Sequence, residues 1–215
     1  GFSYSTTPAF SFNSPSGDPR GLAFDGTNLI SCDLTAKRVY IHDGKSDTIL
    51  SSFEVTSLGP RSITFDGTNL ISCGESGNTH KIYVHNGVSA SVLTSFDSPG
   101  LVPSGLAFDG TNLISCDSLN SNITIHNGVS SNVLASFHFP YYAEGITFDG
   151  VNLIVSSLSR DRIYILEGKS NNILRSFDTP GDAPRGLAFD GTHLISCDSI
   201  SDKIYFHEPF VTHLA

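Results

Sequence analysis

The sequence predicts an all-β fold, a five-bladed β-propeller whose four-stranded antiparallel blades are closed by an N-terminal strand that completes the last blade. Three observations predict it: a motif that occurs five times, four short β-segments in each repeat, and chain ends that complement each other. The motif Phe-Asp-Gly begins at residues 24, 65, 108, 148 and 189, so that its spacings are 41, 43, 40 and 41 residues. Periods near 40 residues with strand patterning are typical of propeller blades.

Each repeat contains four segments with the composition of strands. In the first repeat they cover residues 20–24 (strand A), 28–32 (strand B), 38–42 (strand C) and 49–53 (strand D). The segments are short and rich in β-branched and aromatic residues, and they lack helical periodicity. Asp-Gly or Asn-Gly separates most A–B and C–D pairs, and these dipeptides favour tight hairpins. Each repeat is therefore predicted to be a four-stranded meander.

The ends of the chain predict how the ring closes. The fifth repeat supplies strands A to C but no D segment, whereas residues 9–13 resemble the D segment at 176–180. The N-terminal segment is therefore expected to complete the fifth blade, which leaves only short, protected sheet edges. A single domain over residues 1–215 is predicted, with blades at about 20–53, 61–96, 104–137, 144–177, and 185–207 plus 9–13.

Strand A opens with a small residue in every repeat. Glycine occupies this position four times, and Ser62 replaces it in the second repeat. Innermost strands converge on the axis of a propeller, where glycine permits close approach of backbones. The small residues therefore indicate that strand A is the innermost strand.

Residues 185–207, RGLAFDGTHLISCDSISDKIYFH, resemble the repeat of NHL-type and YncE-type propellers. The shared order is G-[LI]-A-x-D-G, an apolar strand B that ends near Asp, and then K-I-x-[VI], and it extends over all five repeats. The resemblance implies the propeller fold. It does not select a function, because such propellers include protein binders, RNA binders, lectin-like proteins and a few enzymes.

Charge and hydropathy argue against two classes of partner. A formal net charge of −9 argues against a nucleic-acid partner, whose backbone is itself anionic. No apolar run approaches the roughly 20 residues that a membrane-spanning helix needs, so no membrane partner is expected. A monomer is expected, and the sequence fits a secreted protein as well as a cytoplasmic one.

The cysteines share one position of strand B. They are Cys32, Cys73, Cys116 and Cys197, with Ser156 in the fourth repeat. An even number of cysteines suggests disulfides, but equivalent strands of adjacent blades lie about 10 Å apart, whereas a disulfide needs Cα atoms within about 7 Å. Buried free thiols are therefore expected. No C-x-x-C pair is present, so neither a zinc site nor another cofactor is predicted.

Histidine recurs at the end of strand C. The four residues are His42, His85, His126 and His207, with Leu166 in the fourth repeat. Leucine at the same position indicates packed histidines. One histidine per blade would also be spread too widely around the disc for the four to share a metal ion.

The loops on one face of the predicted propeller diverge between repeats. The A–B and C–D turns on the opposite face repeat almost verbatim, whereas the B–C and D–A loops differ, as at 33–37 (DLTAK), 74–80 (GESGNTH) and 138–144 (HFPYYAE). Recognition loops diverge while structural turns repeat. The face formed by the B–C and D–A loops, called here the variable face, is therefore the candidate ligand site.

Two sets of polar residues border the predicted channel on the variable face. The residues just before the small residue of strand A are Arg20, Arg61, Ser104, Glu144 and Arg185, and strand B ends at Asp33, Asp117 and Asp198 in three repeats. Two interpretations stay open. Arg–Asp pairs would close the channel mouth, or a polar funnel would hold an anionic or hydroxylated ligand through bidentate arginines.

The fourth repeat departs most often from the common pattern. Besides Glu144 and Ser156, it has Ser157 in place of Asp, and Tyr141 and Tyr142 precede it. Exposed tyrosines beside a polar funnel suit sugar stacking or a protein contact. Drift of a blade under relaxed constraint explains the same departures.

Three functions are compatible with these features. The favoured one is a non-enzymatic recognition module that binds a glycan or protein ligand through the variable face and the funnel. A lactonase- or lyase-like hydrolase is the first alternative, with Glu144 beside Asp117 or Asp198, and with His80 and His138 in loops of the same face. No G-x-S-x-G or H-E-x-x-H motif supports it. A scaffold propeller without a small-molecule ligand is the second alternative.

Overall fold

A computed structural model describes residues 3–4, 7–55, 59–76 and 79–210, which form five four-stranded antiparallel sheets and one two-stranded pairing. Strand A of each blade lies beside strand A of the next, and blade 5 returns to blade 1, so the sheets form a closed ring. The predicted all-β, five-bladed propeller is confirmed. Within the described ranges no helix is long and apolar enough to cross a membrane.

The strands follow the chain in repeating order from A to D. Two strands precede the first blade, β1 (Ser3–Tyr4) and β2 (Phe10–Asn13). Blade 1 contains β3 (Pro19–Phe24), β4 (Leu29–Asp33), β5 (Arg38–His42) and β6 (Ile49–Glu54). Blade 2 contains β7 (Gly59–Phe65), β8 (Leu70–Ser76), β9 (Thr79–His85) and β10 (Val92–Asp97). Blade 3 contains β11 (Pro103–Phe108), β12 (Leu113–Asp117), β13 (Asn122–His126) and β14 (Val133–His138).

The last two blades complete the ring. Blade 4 contains β15 (Gly145–Phe148), β16 (Leu153–Ser157), β17 (Arg162–Leu166) and β18 (Ile173–Asp178). Blade 5 contains β19 (Pro184–Phe189), β20 (Leu194–Asp198), β21 (Lys203–His207) and, as its fourth strand, β2. A short strand, β22 (Pro209–Phe210), follows and pairs with β1.

Closure by the N-terminal strand is confirmed. Strand β2 pairs antiparallel with β21, with Phe10 opposite Phe206 and Phe12 opposite Ile204. The rings of Phe10 and Phe206 stack with their centroids 4.3 Å apart. The pairing of β1 with β22 joins the two ends of the chain a second time, which the sequence did not predict.

The small residues at the start of strand A permit the close approach that the sequence predicted. A Cβ atom on Gly21 would lie 2.7 Å from the Cα atom of Ser62 in the next blade. Ser62 fits the same position because its Oγ accepts a hydrogen bond from the backbone N–H of Leu106 at 3.0 Å. The buried hydroxyl oxygen of Ser62 therefore has a hydrogen-bond partner in the neighbouring blade.

The thiols lie between blades, as predicted. All four cysteines are free and buried. The Sγ atom of Cys32 lies 3.6 Å from the carbonyl oxygen of Pro60 in the following blade, a weak S–H donor contact. In blade 4, Ser156 takes the same role, and its Oγ donates to the carbonyl of Arg185 at 2.5 Å.

The predicted packed histidines are each joined to a buried serine of strand B. The Oγ–Nε2 distance is 2.9 Å for Ser31 and His42, and 2.8 Å for Ser72–His85, Ser115–His126 and Ser196–His207. The other ring nitrogen of His42 lies 2.8 Å from the carbonyl of Ser46, which can only accept, so Nδ1 carries the proton. Blade 4 replaces both partners together, by Val155 and Leu166.

Candidate functional site

Three of the five residues predicted at the channel mouth meet there. Nη1 of Arg185 lies 2.6 Å from Oε1 of Glu144, and Nη1 of Arg20 lies 3.6 Å from the same oxygen. The arginine side chains are 15% exposed and that of Glu144 is 10% exposed. These contacts connect blades 4, 5 and 1 across the mouth of the channel.

Each arginine of this cluster is oriented by a second partner. Arg20 donates from Nε to Oδ1 of Asp18 at 2.7 Å and from Nη2 to Oδ2 at 3.3 Å. Arg185 donates from Nε to Oγ of Ser199 at 2.9 Å. The carboxylates that pair with these arginines are thus Glu144 and Asp18. The prediction that Arg20 and Arg185 pair with the aspartates at the end of strand B is therefore wrong.

The strand-B aspartates are buried and hold the loops of the variable face. Asp198 accepts hydrogen bonds from the backbone N–H of Ala183 at 2.6 Å in the D–A loop, and from Ile200 and Ser201 at 3.0 and 2.7 Å in the B–C loop. Asp117 and Asp33 make equivalent contacts. This arrangement gives all three carboxylates a loop-positioning role, and the direct ligand contact predicted for them stays a prediction.

The two remaining mouth residues differ in their surroundings. Ser104 is buried, and its Oγ donates to the carbonyl of Ala143 at 2.8 Å, which links blade 3 to the loop that enters blade 4. Arg61 is half-buried at the corresponding position of blade 2. The ligand contact predicted for Ser104 and Arg61 stays a prediction.

The two tyrosines before blade 4 have different environments. Tyr141 is half-buried, and its ring stacks on that of Tyr164 with centroids 4.9 Å apart and an angle of 25°. The guanidinium of Arg160 lies 5.2 Å from the centroid of the Tyr141 ring, a cation–π contact. Tyr142 is 55% exposed. The exposed aromatic surface predicted for this pair is therefore provided by Tyr142.

The position of Tyr141 depends on a second departure of the fourth repeat. In blades 3 and 5 the corresponding loop residues are Gly100 and Gly181, where a Cβ atom would collide with the carboxylate of the strand-B aspartate. Blade 4 has Ser157 in place of that aspartate. The shorter side chain leaves room for Tyr141, so the two substitutions form one structural change.

A groove with two compartments runs between blades 3 and 4 on the variable face. The first compartment, about 440 Å³, is lined by Val102, Ser118, Leu119, Tyr142, Glu144, Leu158 and Ser159. The second, about 320 Å³, is lined by Ser121, Pro140, Tyr141, Tyr142, Ser159 and Arg160. Tyr142 and Ser159 line both compartments, which we treat together as the blade 3–4 groove. Volumes of this size are typical of ligand pockets.

Glu144, Tyr141 and Tyr142, which the sequence analysis predicted as site residues of the variable face, line this groove, but its apolar walls were not predicted. Leu119 and Leu158 come from the B–C loops of blades 3 and 4, and Leu119 is 60% exposed. A leucine in an otherwise polar loop that differs between repeats was the feature of the sequence that could have predicted these walls. Arg160, which ends the groove beside Tyr141, carried no sequence signal beyond its charge.

Comparisons with known proteins identify the fold class. No family model matches the chain, and no curated protein matches it. The crystal structure of glutaminyl cyclase from Myxococcus xanthus is similar with a TM-score of 0.81 at 9% identity, covering 96% of this chain and 97% of that one. The PQQ-bound aldose sugar dehydrogenase from Streptomyces coelicolor is similar with a TM-score of 0.63 at 12% identity, covering 98% and 99%.

These similarities define the class of protein as a β-propeller, and at such identities they show the fold alone. The propeller that the NHL and YncE resemblance implied is confirmed. Membership in that repeat family stays a prediction.

Proposed function

We propose that this protein is a recognition module that binds an extended protein segment in the blade 3–4 groove. The observation that carries the proposal is the pairing of an apolar compartment with a neighbouring compartment that contains Arg160. An apolar side chain of the ligand fills the first compartment, and an acidic side chain beside it meets Arg160. Extended segments place successive side chains into separate pockets in this way.

The apolar compartment supplies the affinity. Leu119, at 60% exposure, and Tyr142, at 55%, lie on different loops and line the same compartment with Leu158. Clustered exposed apolar side chains mark interaction sites, whereas isolated ones do not. Covering them stabilises the complex by about 25 cal/mol per Å² of apolar surface. Tyrosine is also enriched among the residues that dominate interface energies.

The polar groups at the ends of the groove supply orientation. The Arg160 guanidinium is held against Tyr141 and presents donors that match a carboxylate. At the opposite end, both arginine contacts of Glu144 are made to Oε1. We assign Oε2 to a backbone N–H of the ligand, because a carboxylate accepts through both oxygens.

The groove fits a protein segment better than it fits a glycan ligand or the active site of a hydrolase. A glycan would place hydroxyl groups against Val102, Leu119 and Leu158, which offer them no hydrogen-bond partner. The hydrolase alternative needs Glu144 beside Asp117 or Asp198. Glu144 instead contacts Arg20 and Arg185, and both aspartates bind loop amides.

Selection of a random peptide library on the immobilised protein tests the proposal, with affinities of the enriched peptides measured by fluorescence polarisation. We expect a large apolar residue close to Asp or Glu. Leu119→Asp should weaken binding at least tenfold, because it places a charge in the apolar compartment. Ile200→Asp is the matched control, since Ile200 has the same turn position in blade 5 and is 70% exposed outside the groove.

Arg160→Glu provides an independent arm, because it should shift the selected peptides from acidic to basic residues. Affinity unaffected by Leu119→Asp would contradict the proposal. Binding of the protein to glycans on an array would support a lectin if the Tyr142→Ala variant no longer binds them. Turnover of lactone substrates that is lost in the Glu144→Gln variant would support the hydrolase. If no assay shows binding or turnover, the result would support a scaffold propeller without a small-molecule ligand.

A further inference from the structure

Blade 3 lacks a tyrosine that the other four blades place at the centre of strand C. The residues are Tyr40, Tyr83, Tyr164 and Tyr205, and the equivalent of blade 3 is Thr124. The register is the same in each case. Tyr205 lies opposite Ser196 of β20 and Ser11 of β2, whereas Thr124 lies opposite Ser115 of β12 and Ser136 of β14.

A pocket of about 160 Å³ lies over Thr124, here called the blade 3 pocket. Its lining includes Pro99, Gly100, Ser115, Asn120, Asn122 and Ser136 beside Thr124. Its floor at Ser115 and Thr124 is buried, whereas Asn122 and Ser136 at its rim are exposed. The pocket is therefore open to a solute, and most of its lining side chains are polar.

Blade 5 shows what fills the same space when the tyrosine is present. The loop geometry of the two blades matches: the backbone N–H of Val102 donates to Asp117 at 2.6 Å, and that of Ala183 donates to Asp198 at 2.6 Å. In blade 5, Oη of Tyr205 lies 3.0 Å from Oγ of Ser201. The residue of blade 3 that corresponds to Ser201 is Asn120, which lines the pocket.

We propose that the blade 3 pocket binds a phenolic ring, which occupies the volume that tyrosine occupies in the other blades. Its hydroxyl group would hydrogen-bond to the Asn120 side chain, as Tyr205 does to Ser201. The ring would lie between Thr124 and the segment that contains Pro99 and Gly100. A polar cavity of this size is occupied by water or by a ligand with matching polar atoms, and a phenol supplies both the shape and the hydroxyl.

The blade 3 pocket is separate from the blade 3–4 groove. The B–C loop of blade 3 divides them, because Ser118, Leu119 and Ser121 line the groove whereas Asn120 lines the pocket. The two proposals are thus independent. Loss of peptide binding in the groove leaves the phenol site untouched, and the reverse also holds.

Titration of the full chain with p-cresol, the side chain of tyrosine, tests this site by amide chemical shifts. We expect saturable shifts confined to the lining segments, with a dissociation constant on the order of 1 mM, as suits so small a ligand. Toluene, which lacks the hydroxyl, should bind about tenfold more weakly because one hydrogen bond is lost.

Two variants make the test specific. Thr124→Tyr should abolish the p-cresol shifts, because its own ring fills the pocket. Tyr205→Thr should open an equivalent pocket in blade 5, raise the stoichiometry from one to two, and show a melting temperature that p-cresol partly restores. If Thr124→Tyr fails to fold, the location of the wild-type shifts still decides.

Three results would overturn the assignment. They are the absence of saturable shifts, shifts that lie away from the lining residues, and p-cresol binding that Thr124→Tyr leaves unchanged. In the first of these cases, saturable binding of methyl glucoside at this pocket would show that the site accepts a sugar and not a phenol.

Discussion

Glu144 and Arg185 form an ion pair at the channel mouth, with 2.6 Å between Oε1 and Nη1. Arg20 approaches the same oxygen to 3.6 Å. Blade 5 is assembled from both ends of the chain, and these contacts tie it to blade 4 and link blade 4 to blade 1. The three side chains are mostly buried, so solvent ions screen the interaction less than they would at the surface.

Removing Glu144 should therefore destabilise the ring. Glu144→Ala leaves two guanidinium groups near each other without their shared carboxylate, and we expect the free energy of unfolding to fall by about 3 kcal/mol. Urea denaturation measures the loss. Lys81→Ala, which breaks the exposed Lys81–Asp97 pair of blade 2, is the control and should have no measurable effect. Equal stability of the two variants would contradict an energetic role for the cluster.

The buried Ser–His pairs should respond to substitution as units. His42→Leu alone leaves the buried hydroxyl of Ser31 without its ring partner and should cost about 2 kcal/mol. Ser31→Val combined with His42→Leu reproduces the Val155 and Leu166 arrangement of blade 4, and should recover at least half of that loss. Urea denaturation of the single and double variants gives the coupling energy. Additive losses would show that the pair does not act as a unit.

The same histidines predict how stability depends on pH. Burial lowers the pKa of His42, His85 and His126, although a backbone carbonyl near each ring opposes the shift. Above the ordinary histidine pKa of about 6.5 the rings are neutral in both states, and stability is complete. Below that pKa the histidines of the unfolded chain become protonated, whereas those of the folded chain stay neutral. The free energy of unfolding should therefore fall by up to about 1.4 kcal/mol per pH unit for each histidine.

Urea midpoints measured from pH 8 to pH 5 check this direction. The Ser31→Val/His42→Leu variant should show a shallower decline than the wild type, because it has one buried histidine fewer. A midpoint that rises as the pH falls through 6.5 would mean that the rings become charged in the folded protein.

Much of the fold was predictable because the repeat fixes the register of each blade. Strand A of repeat one was predicted at 20–24 and is observed at Pro19–Phe24, and the closing strand predicted at 9–13 is observed at Phe10–Asn13. The repeated motif, the turn dipeptides and the likeness of residues 9–13 to a D segment can each be read directly from the sequence. The pairing of β1 with β22 is a contact between the two ends, and no repeat reports it.

The site was predictable in position but not in contacts. Arg20 and Glu144 belong to blades that are not neighbours, and they meet only because the ring is narrow at its mouth. The B–C turns beside the groove contain Ser121 and Asp161 with positive φ of 55° and 51°. Aspartate adopts positive φ more often than most residues, but serine does not, so the identity of Ser121 does not signal this conformation.

The cysteines should be unreactive in the folded protein. Burial raises the pKa of Cys116 and of Cys197 to about 12, and only the thiolate attacks a disulfide reagent. Near neutral pH these buried thiols therefore stay protonated, and the folded chain also blocks the reagent from reaching them. We expect negligible reaction with a water-soluble aromatic disulfide in native buffer, and release of all four thiols in urea.

Cys116→Ser should preserve this interface between blades, because the fourth blade already uses serine there. Ser156 donates to the carbonyl of Arg185 at 2.5 Å, and Sγ of Cys116 lies 3.9 Å from the corresponding carbonyl of Glu144 and 3.7 Å from that of Ala143. A serine at 116 has an acceptor within reach, so the free energy of unfolding should change by less than about 1 kcal/mol. Cys116→Val, which fills the space without a donor, is the matched control and should be less stable. The opposite order would show that packing volume, and not the hydrogen bond across the blades, decides this position.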